Sequence, residues 1–462
     1  MASANALQGL MKWLSRDEWR EPFDDLIERH LGPACERAGI ARDQVADAIG
    51  GEHAGVLWGC LFEDFLTCDL DDDSNIVDDY LKRRSWKESV PNKRYMMALR
   101  ASVMSLYEVS DVVRNESFLA RDLLRGGEAV RVSEKSATHS LKQWDRIAAR
   151  IVRVGPKFEM AGGVLAFTHE LGDVVSEGFA VLKKEMLSDL RKSARHDDAD
   201  VDPIVFDTEV LRHSAFLFTN VWLDDALQRA LDPKPPKLCN SDGDEIAFTT
   251  VRYPLKQPCD REALECALTA IPEFHRARDD LWNWIPITPP ATGKPPEGAQ
   301  IVLSTFNGDS VSMGSVDLDA KSLKLEVNSP QRAQRGRTLL EPVIGPFVGE
   351  PIVESKSAAE LMASPSADEG RTPSSRLPPD EERAIIQEAL ERHYRGLLDK
   401  PVPMLGNVSP RKAARTKKGR EKLVGWLKLI ENSNVRQEAD SPIASYDMSW
   451  MWDELGITDF RR

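Results

Sequence analysis

Acidic side chains in the first part of the chain have a spacing that could bind a metal ion. Asp69, Asp71 and Asp73 alternate along the sequence, as the first three ligands of a calcium loop do. The sixth position of such a loop would be Ser74 rather than glycine, and the twelfth would be Tyr80 rather than glutamate. Because the loop needs both of those residues, we interpret the run as solvated acids at helix ends and predict no metal site.

Histidine and cysteine, which commonly perform catalysis or bind metals, form no recognisable motif. The eight histidines are scattered, and the residues around His169 do not complete the HExxH zinc signature. The six cysteines include no CxxC pair. GxSxG, P-loop and GxGxxG motifs are also missing from the sequence. We therefore expect no cofactor and favour a protein that is not an enzyme, although a catalytic site that the fold assembles from distant residues stays open.

Arginines and tryptophans are further candidates for binding. Arg332, Arg335 and Arg337 stand at the start of a predicted helix, where they could hold a phosphate or form a solvated face. Two pairs of tryptophans are each separated by one residue. The four are Trp282, Trp284, Trp450 and Trp452. We expect them to pack in cores, or to anchor a partner if they are exposed.

A basic run near the end of the sequence could contact nucleic acid. Its candidate residues are Arg411, Lys412, Lys417 and Lys418. No aromatic residue interleaves with them, as single-strand binding would favour. The whole chain has 61 basic and 75 acidic residues, a formal charge of −14, which disfavours general attraction of polyanions. Nucleic-acid binding is therefore the weaker interpretation of the run, and a solvated helical face is the stronger one.

The elements that must position these groups are mainly helical. Apolar residues at intervals of three and four predict helices over the first hundred residues. Near Tyr107 the pattern changes to short β-rich segments with a turn at Gly126-Gly127, which predicts a small antiparallel sheet or barrel. Residues 260–285 are typical of one or two helices, and residues 300–328 of three strands. The expected fold class is α+β and multidomain, mainly helical, with small antiparallel β sheets or a barrel.

At 462 residues the chain is long enough for several domains. The expected divisions are an N-terminal helical region (1–104), a β-rich domain (105–170), a helical region (171–235), an α+β domain (236–353), a flexible linker (354–382) and a C-terminal helical module (383–462). The linker is predicted from its serine, proline and acidic residues. The sequence has no long apolar run and no apolar signal core at its start, so we expect a cytoplasmic protein that does not enter a membrane.

The C-terminal segment has a distinctive arrangement of proline, glycine and small residues. Its positions are Leu398, Pro401, Pro403, Leu405, Gly406, Ser409, Pro410, Ala413, Ala414, Thr416, Gly419, Val424 and Leu427. This pattern resembles the toxin-binding domain of Xre/MbcA/ParS-type antitoxins. The resemblance implies a protein partner, often a toxin of the RES class, which attacks NAD. A similar segment closes long uncharacterised bacterial proteins related to SEC-C-containing proteins, but the SEC-C zinc motif is missing because no cysteine follows Cys266.

Together these features predict a non-enzymatic, cytoplasmic bacterial protein that docks a partner protein, with a RES-like toxin as the implied partner. The expected partner-binding residues are Pro401, Pro403, Leu405, Gly406, Ser409, Pro410, Gly419, Trp426, Trp450 and Trp452. One alternative is an enzyme or nucleic-acid-associated factor whose site lies in the β-rich regions. Another is a module that packs only onto its own chain. The sequence does not determine the oligomeric state.

Overall fold

The structure is a computed structural model, and it describes most of the chain. The described residues are 6–70, 74–193, 202–232, 238–240, 242–287, 301–303, 305–307, 310–357, 360, 379–437 and 441–461. The chain divides into two compact units, Met1–Pro233 with Ser375–Arg462, and Lys234–Ser374. The fold is α+β and multidomain, mainly helical, with a small barrel and an antiparallel sheet, which confirms the predicted fold class.

The first unit begins with helices that pack their apolar sides together. They are α1 (Gln8–Leu14), α2 (Arg20–Ala38), α3 (Val45–Ile49), α4 (Gly51–Thr67), α5 (Ile76–Arg84) and α6 (Val90–Arg100). In α2 the buried residues Leu26, Ile27 and Leu31 follow the spacing of one helix face. Helix α5 starts where the side chain of Asn75 accepts a hydrogen bond from the Val77 amide at 2.8 Å.

A closed five-stranded barrel follows the helices. Its strands are β1 (Met104–Val113), β2 (Ser117–Asp122), β3 (Val130–Ser133), β4 (Arg146–Val154) and β5 (Lys157–Phe167). The order is β1-β2-β3-β5-β4, and β1 also pairs with β4. The pairings are antiparallel except for β3 with β5, which are parallel. Apolar side chains such as Val109, Phe118, Val132 and Ile147 fill the interior, so the predicted barrel is a packed core.

The remainder of the first unit is helical. Its helices are α7 (His169–Ser193), α8 (Pro203–Arg212) and α9 (Ala215–Leu231), followed after the second unit by α12 (Pro379–Leu397), α13 (Pro410–Ala413), α14 (Lys417–Val435) and α15 (Ser449–Glu454). We call residues 379–461 the C-terminal module. The module has its own apolar core, in which Leu398, Leu427, Met451 and Trp452 are fully buried.

The second unit is built on an antiparallel sheet. Its strands and helices are β6 (Leu238–Asn240), β7 (Ala247–Pro254), α10 (Arg261–Thr269), β8 (Phe274–Arg278), β9 (Leu281–Trp284), β10 (Ile301–Leu303), β11 (Thr305–Asn307), β12 (Ser310–Ser312), β13 (Gly314–Leu318), β14 (Ser322–Val327), α11 (Pro330–Ile344) and β15 (Ile352–Ser357). Six strands form one sheet in the order β15-β7-β14-β13-β9-β8. Side chains alternate across it, so Val251 and Tyr253 are buried while Arg252 is exposed.

Two sequence predictions differ from this arrangement. Residues 260–285 were expected to be helical, yet only α10 is a helix, and Phe274–Arg278 pairs with Leu281–Trp284 as a hairpin. Trp282 and Trp284 are both buried, because alternate residues of a strand point to the same side. The predicted linker 354–382 overlaps β15 and the start of α12, and its residues 358–359 and 361–378 lie outside the described residues.

Candidate partner-docking site

Three of the predicted partner-binding side chains lie in the core of the C-terminal module. Leu405, Trp426 and Trp452 are buried there, and the indole of Trp452 donates a hydrogen bond to Glu431 at 2.8 Å. They pack there with Leu398, Leu427 and Met451, so their apolar surface is removed from water. Leu405 and Trp426 were expected to bind a partner, but the structure buries both in the module's own core.

The proline and glycine positions form an exposed corner between α12 and α13. Pro401, Pro403 and Gly406 are exposed. The corner is closed by a backbone hydrogen bond from the Val402 amide to the Val408 carbonyl at 3.1 Å. Gly406 has a φ of 78°, which suits glycine and ends the short 3-10 turn Pro403–Leu405. The sequence features that carry the resemblance therefore define a turn with a fixed shape.

Apolar side chains project from this corner into solvent. Met404 is 48% exposed and Val408 is 39% exposed. Neither residue was among the predicted partner-binding positions, which were chosen for the shared pattern rather than for exposure. We call Pro401, Pro403, Met404 and Val408 the exposed corner. Such a small apolar patch on a rigid turn is a suitable anchor for a protein partner.

The remaining predicted residues of the segment hold the module together. Pro410 is buried and occupies the first turn of α13, and the Ser409 side chain forms no capping hydrogen bond. Thr416 instead caps α14 through the Gly419 amide at 3.0 Å. Trp450 is half-buried and donates a hydrogen bond to the Tyr446 hydroxyl at 3.0 Å.

The basic run lies beside the corner and is mostly exposed. Lys412, Lys417 and Lys418 are exposed, whereas Arg411 is half-buried and forms ion pairs with Asp399 and Glu454. The pKa of Arg411 is raised, mainly by its hydrogen bond to Glu454. Arg411 is therefore engaged within the module, while the three lysines give the surface near the corner a positive charge.

The second half of α14 attaches the module to the barrel of the same unit. The Trp144 indole donates a hydrogen bond to Glu431 at 2.5 Å, and the Asn432 side chain donates to the Gln143 carbonyl at 2.8 Å. Asn432 also donates to Asp145 at 2.7 Å. All of these side chains except Gln143 are buried. The side of the module formed by the second half of α14 therefore packs onto its own chain, as one of the alternatives expected.

A buried ion pair reinforces the attachment. The Lys428 ammonium bonds the carboxylate of Glu108 in β1 and lies 4.2 Å from the centre of the Trp144 ring. Glu108 stands between Arg121 of β2 and Arg146 of β4 in the strand register. Burial lowers the pKa of Lys428, and the charge of Glu108 opposes that effect. The pair fixes where α14 crosses the barrel.

The arginines at the start of α11 do not have the environment of a free phosphate site. Arg332 is buried, and two of its nitrogens lie 3.1 and 3.2 Å from the carboxylate of Asp242. Arg335 pairs with the same carboxylate, and Arg337 pairs with Glu341 at 2.7 Å. Burial alone would raise the pKa of Asp242, but hydrogen bonds from Arg332 and Arg335 lower it. The three guanidinium groups are thus already paired with carboxylates of the second unit.

Sequence reasoning did not identify a buried polar cluster between the helices and the barrel. His30 lies 2.8 Å from the Thr219 hydroxyl and 3.0 Å from Asp64, which also pairs with Arg150. Burial would raise the pKa of Asp64, but the hydrogen bond from His30 and the charge of Arg150 lower it. The residue types are those of a catalytic triad, yet all four are buried, so the cluster joins α2, α4, α9 and β4. No local pattern connects positions so distant in sequence.

A cavity of about 590 Å³ lies between the start of α2 and the chain that joins α4 to α5. Its volume is that of a small-ligand site. Two of its acids are engaged, since Asp79 pairs with Arg83 at 2.7 Å and Asp69 pairs with Arg100. Burial raises the pKa of Cys68 in its lining to about 12, so that thiol is protonated and unreactive at neutral pH.

The described residues include neither a group of metal ligands nor a membrane-spanning helix. Among them, no three His, Cys, Asp or Glu side chains are grouped so that they could hold a metal ion. Asp71 and Asp73 of the acidic run lie outside the described residues. In the part of the chain that the structure describes, no helix combines the length and apolar character required to cross a bilayer.

Comparisons with known proteins reach only part of the chain. Residues 61–196 match a family of unknown function, DUF7986. No curated protein matches the chain. The matched residues run from α4 through the barrel to the end of α7, so the similarity concerns the barrel and the helices beside it, and the C-terminal module lies outside it.

Proposed function

We propose that this chain is a non-enzymatic bacterial docking protein of the cytoplasm, whose C-terminal module binds a partner protein at the exposed corner. The main observation behind the proposal is that one side of the module is attached to the barrel while another side exposes apolar residues. Side chains from the second half of α14 bond the barrel, while Met404 and Val408 remain exposed on a turn that a backbone hydrogen bond closes. A rigid apolar anchor binds with a small loss of conformational entropy.

The surroundings of the corner support a partner with an acidic surface. The exposed lysines Lys412, Lys417 and Lys418 are complementary to an acidic rim, around a pocket that accepts the two apolar side chains. The resemblance to antitoxin toxin-binding domains supports a RES-class toxin as that partner. Binding would then sequester the toxin, and the barrel would act as the support that holds the module.

The test is direct binding of the full chain to a RES-class toxin from the same organism, measured by calorimetry and by co-elution. The variants Met404→Asp and Val408→Asp should each weaken binding about 30-fold, because loss of a central anchor costs about 2 kcal/mol. Val205→Asp on α8, where Val205 is 64% exposed, is the matched control and should bind as the wild type does. Equal binding by all three variants would exclude the corner as the docking site.

A further inference from the structure

A second surface of the first unit has an exposed tryptophan in a basic setting. Trp86 lies in the 3-10 turn Ser85–Lys87 between α5 and α6 and is 74% exposed. Tryptophan is rarely so exposed in a folded protein. The ammonium of Lys87 lies 5.1 Å from the centre of its ring.

The charge around Trp86 is opposite to that of the whole protein. Between Lys82 and Arg94 the chain has six basic residues and one acid, Glu88. That acid is already engaged, since it accepts hydrogen bonds from the Tyr80 hydroxyl at 2.6 Å and the Asn92 side chain at 2.8 Å. The segment therefore forms a local positive patch on a chain whose formal charge is −14.

Most of these basic side chains are unpaired. Arg83 pairs with Asp79 at 2.7 Å. Within the part of the chain that the structure describes, the basic residues of this segment that form no ion pair are Lys82, Arg84, Lys87, Lys93 and Arg94, and Arg84 lies 5.5 Å from the centre of the Trp13 ring. Cations without an internal partner can bind the phosphates of a ligand and release the counterions held there.

The helices hold this patch in place. Ser89 caps α6 by accepting a hydrogen bond from the Asn92 amide at 3.2 Å. Tyr95, Met96 and Leu99 bury one side of α6 in the core. The opposite side, with Arg94, is thereby directed to solvent. The patch is thus a fixed surface rather than a loose tail.

We propose that this patch binds single-stranded nucleic acid, with a base stacked on Trp86 and the phosphates bound by Lys82, Lys87 and Arg94. An aromatic platform within a positive groove is the usual arrangement for single strands. An anionic membrane fits less well. Val90 and Met97 are 59% and 63% exposed, but Arg94 lies between them, so α6 presents no continuous apolar stripe to a bilayer.

Fluorescence anisotropy of the full chain with a labelled 20-nucleotide oligo-dT tests the proposal. The wild type should bind at low salt, and Trp86→Ala should weaken binding about tenfold through lost stacking. The triple variant Lys82→Ala/Lys87→Ala/Arg94→Ala should lower the slope of log affinity against log salt by about two, at roughly 0.7 for each phosphate contact. Thermal unfolding should show that both variants remain folded, since the substituted residues are exposed.

The matched control removes three lysines elsewhere. Lys135→Ala/Lys157→Ala/Lys184→Ala, at three exposed lysines, changes the net charge equally, and it should leave the affinity within twofold of the wild type. The proposal is overturned if the wild type does not bind the oligonucleotide, or if Trp86→Ala binds as tightly as the wild type. It is also overturned if the control loses as much affinity as the patch variant. Vesicles of phosphatidylcholine and phosphatidylglycerol should not bind, and capture on them in place of the oligonucleotide would show a membrane surface instead.

Discussion

Lys428 of the C-terminal module and Glu108 of the first barrel strand form a buried ion pair across 320 positions of the sequence. The contact connects a module with its own apolar core to a barrel with a separate one. A partner that binds the module therefore binds a surface held by the barrel. The strength of this attachment can be measured one residue at a time.

Lys428→Ala should lower the free energy of unfolding of the first unit by about 3–5 kcal/mol, because it leaves the carboxylate of Glu108 buried without its partner. Urea titration of the full chain, followed by fluorescence, measures the change. The control is Lys418→Ala, an exposed residue of the same helix, which should change stability by less than about 0.5 kcal/mol. The double variant Lys428→Met/Glu108→Leu should be more stable than Lys428→Ala, and a double variant at least as unstable would contradict the role of the unpaired charge.

Glu431 is the shared acceptor of two buried indoles, those of Trp144 and Trp452. Glu431→Ala removes that acceptor from both indoles, and each unpaired buried donor costs about 1–3 kcal/mol, so we expect a loss of about 2–6 kcal/mol. Limited proteolysis should then cleave the module earlier than in the wild type. Glu421→Ala, at an exposed residue near the start of the same helix, is the control and should be cleaved as slowly as the wild type. Unchanged cleavage of Glu431→Ala would show that these hydrogen bonds do not secure the module.

Local patterns predicted those parts of the fold that local physics determines. The change near Tyr107 from helical spacing to short alternating segments indicated the barrel, and Gly126 and Gly127 both have positive φ in the connection between β2 and β3. The parallel pairing of β3 with β5 could not be predicted, because it depends on the closure of the barrel. The hairpin at Phe274–Trp284 was wrongly predicted as helix, since the helix-favouring residues before it outweighed the two alternating tryptophans.

The candidate site shows the same division. The corner at Pro401–Val408 could be located from its prolines and Gly406, whose backbone roles are local. The exposure of Met404 and Val408 at that corner could not be predicted from the sequence. The contacts of Lys428 and Glu431 with the barrel could not be predicted either. Burial of a polar residue on α14 depends on a barrel more than 250 residues earlier in the chain, and no spacing within the helix reports that contact.

Glu63 on α4 should make the stability of the first unit depend on pH. Burial raises its pKa from 4.5 to about 7, although its carboxylate accepts a hydrogen bond from the Gly163 amide at 3.0 Å. Below the unfolded value both states are protonated. As the pH rises from about 4.5 through 7, the unfolded chain loses this proton first, so the free energy of unfolding falls by up to about 3 kcal/mol.

Glu63→Gln should remove that contribution, because glutamine keeps the acceptor and has no charge. Urea titrations of the wild type and the variant at pH 5 and pH 8 give the change in the free energy of unfolding for each protein. The difference between the two changes is the contribution of Glu63, because the other titrating groups contribute equally to both. The wild type should lose more stability than the variant between those values. The same loss in both proteins would show that Glu63 does not ionise in this range.

Gly419 should be required for the fold of the module, since α14 begins very close to α13. A Cβ atom at Gly419 would lie 2.1 Å from the carbonyl oxygen of Ala413, which is backbone and cannot move aside easily. Gly419→Ala should therefore cost about 1–3 kcal/mol by overpacking, seen as a lower midpoint of thermal unfolding. Gly425→Ala is the matched control in the same helix, because nothing lies within 4 Å of its Cβ position. The control should be stabilised by up to about 1 kcal/mol through higher helix propensity, and equal shifts in both variants would mean that the close approach at Gly419 is not a constraint.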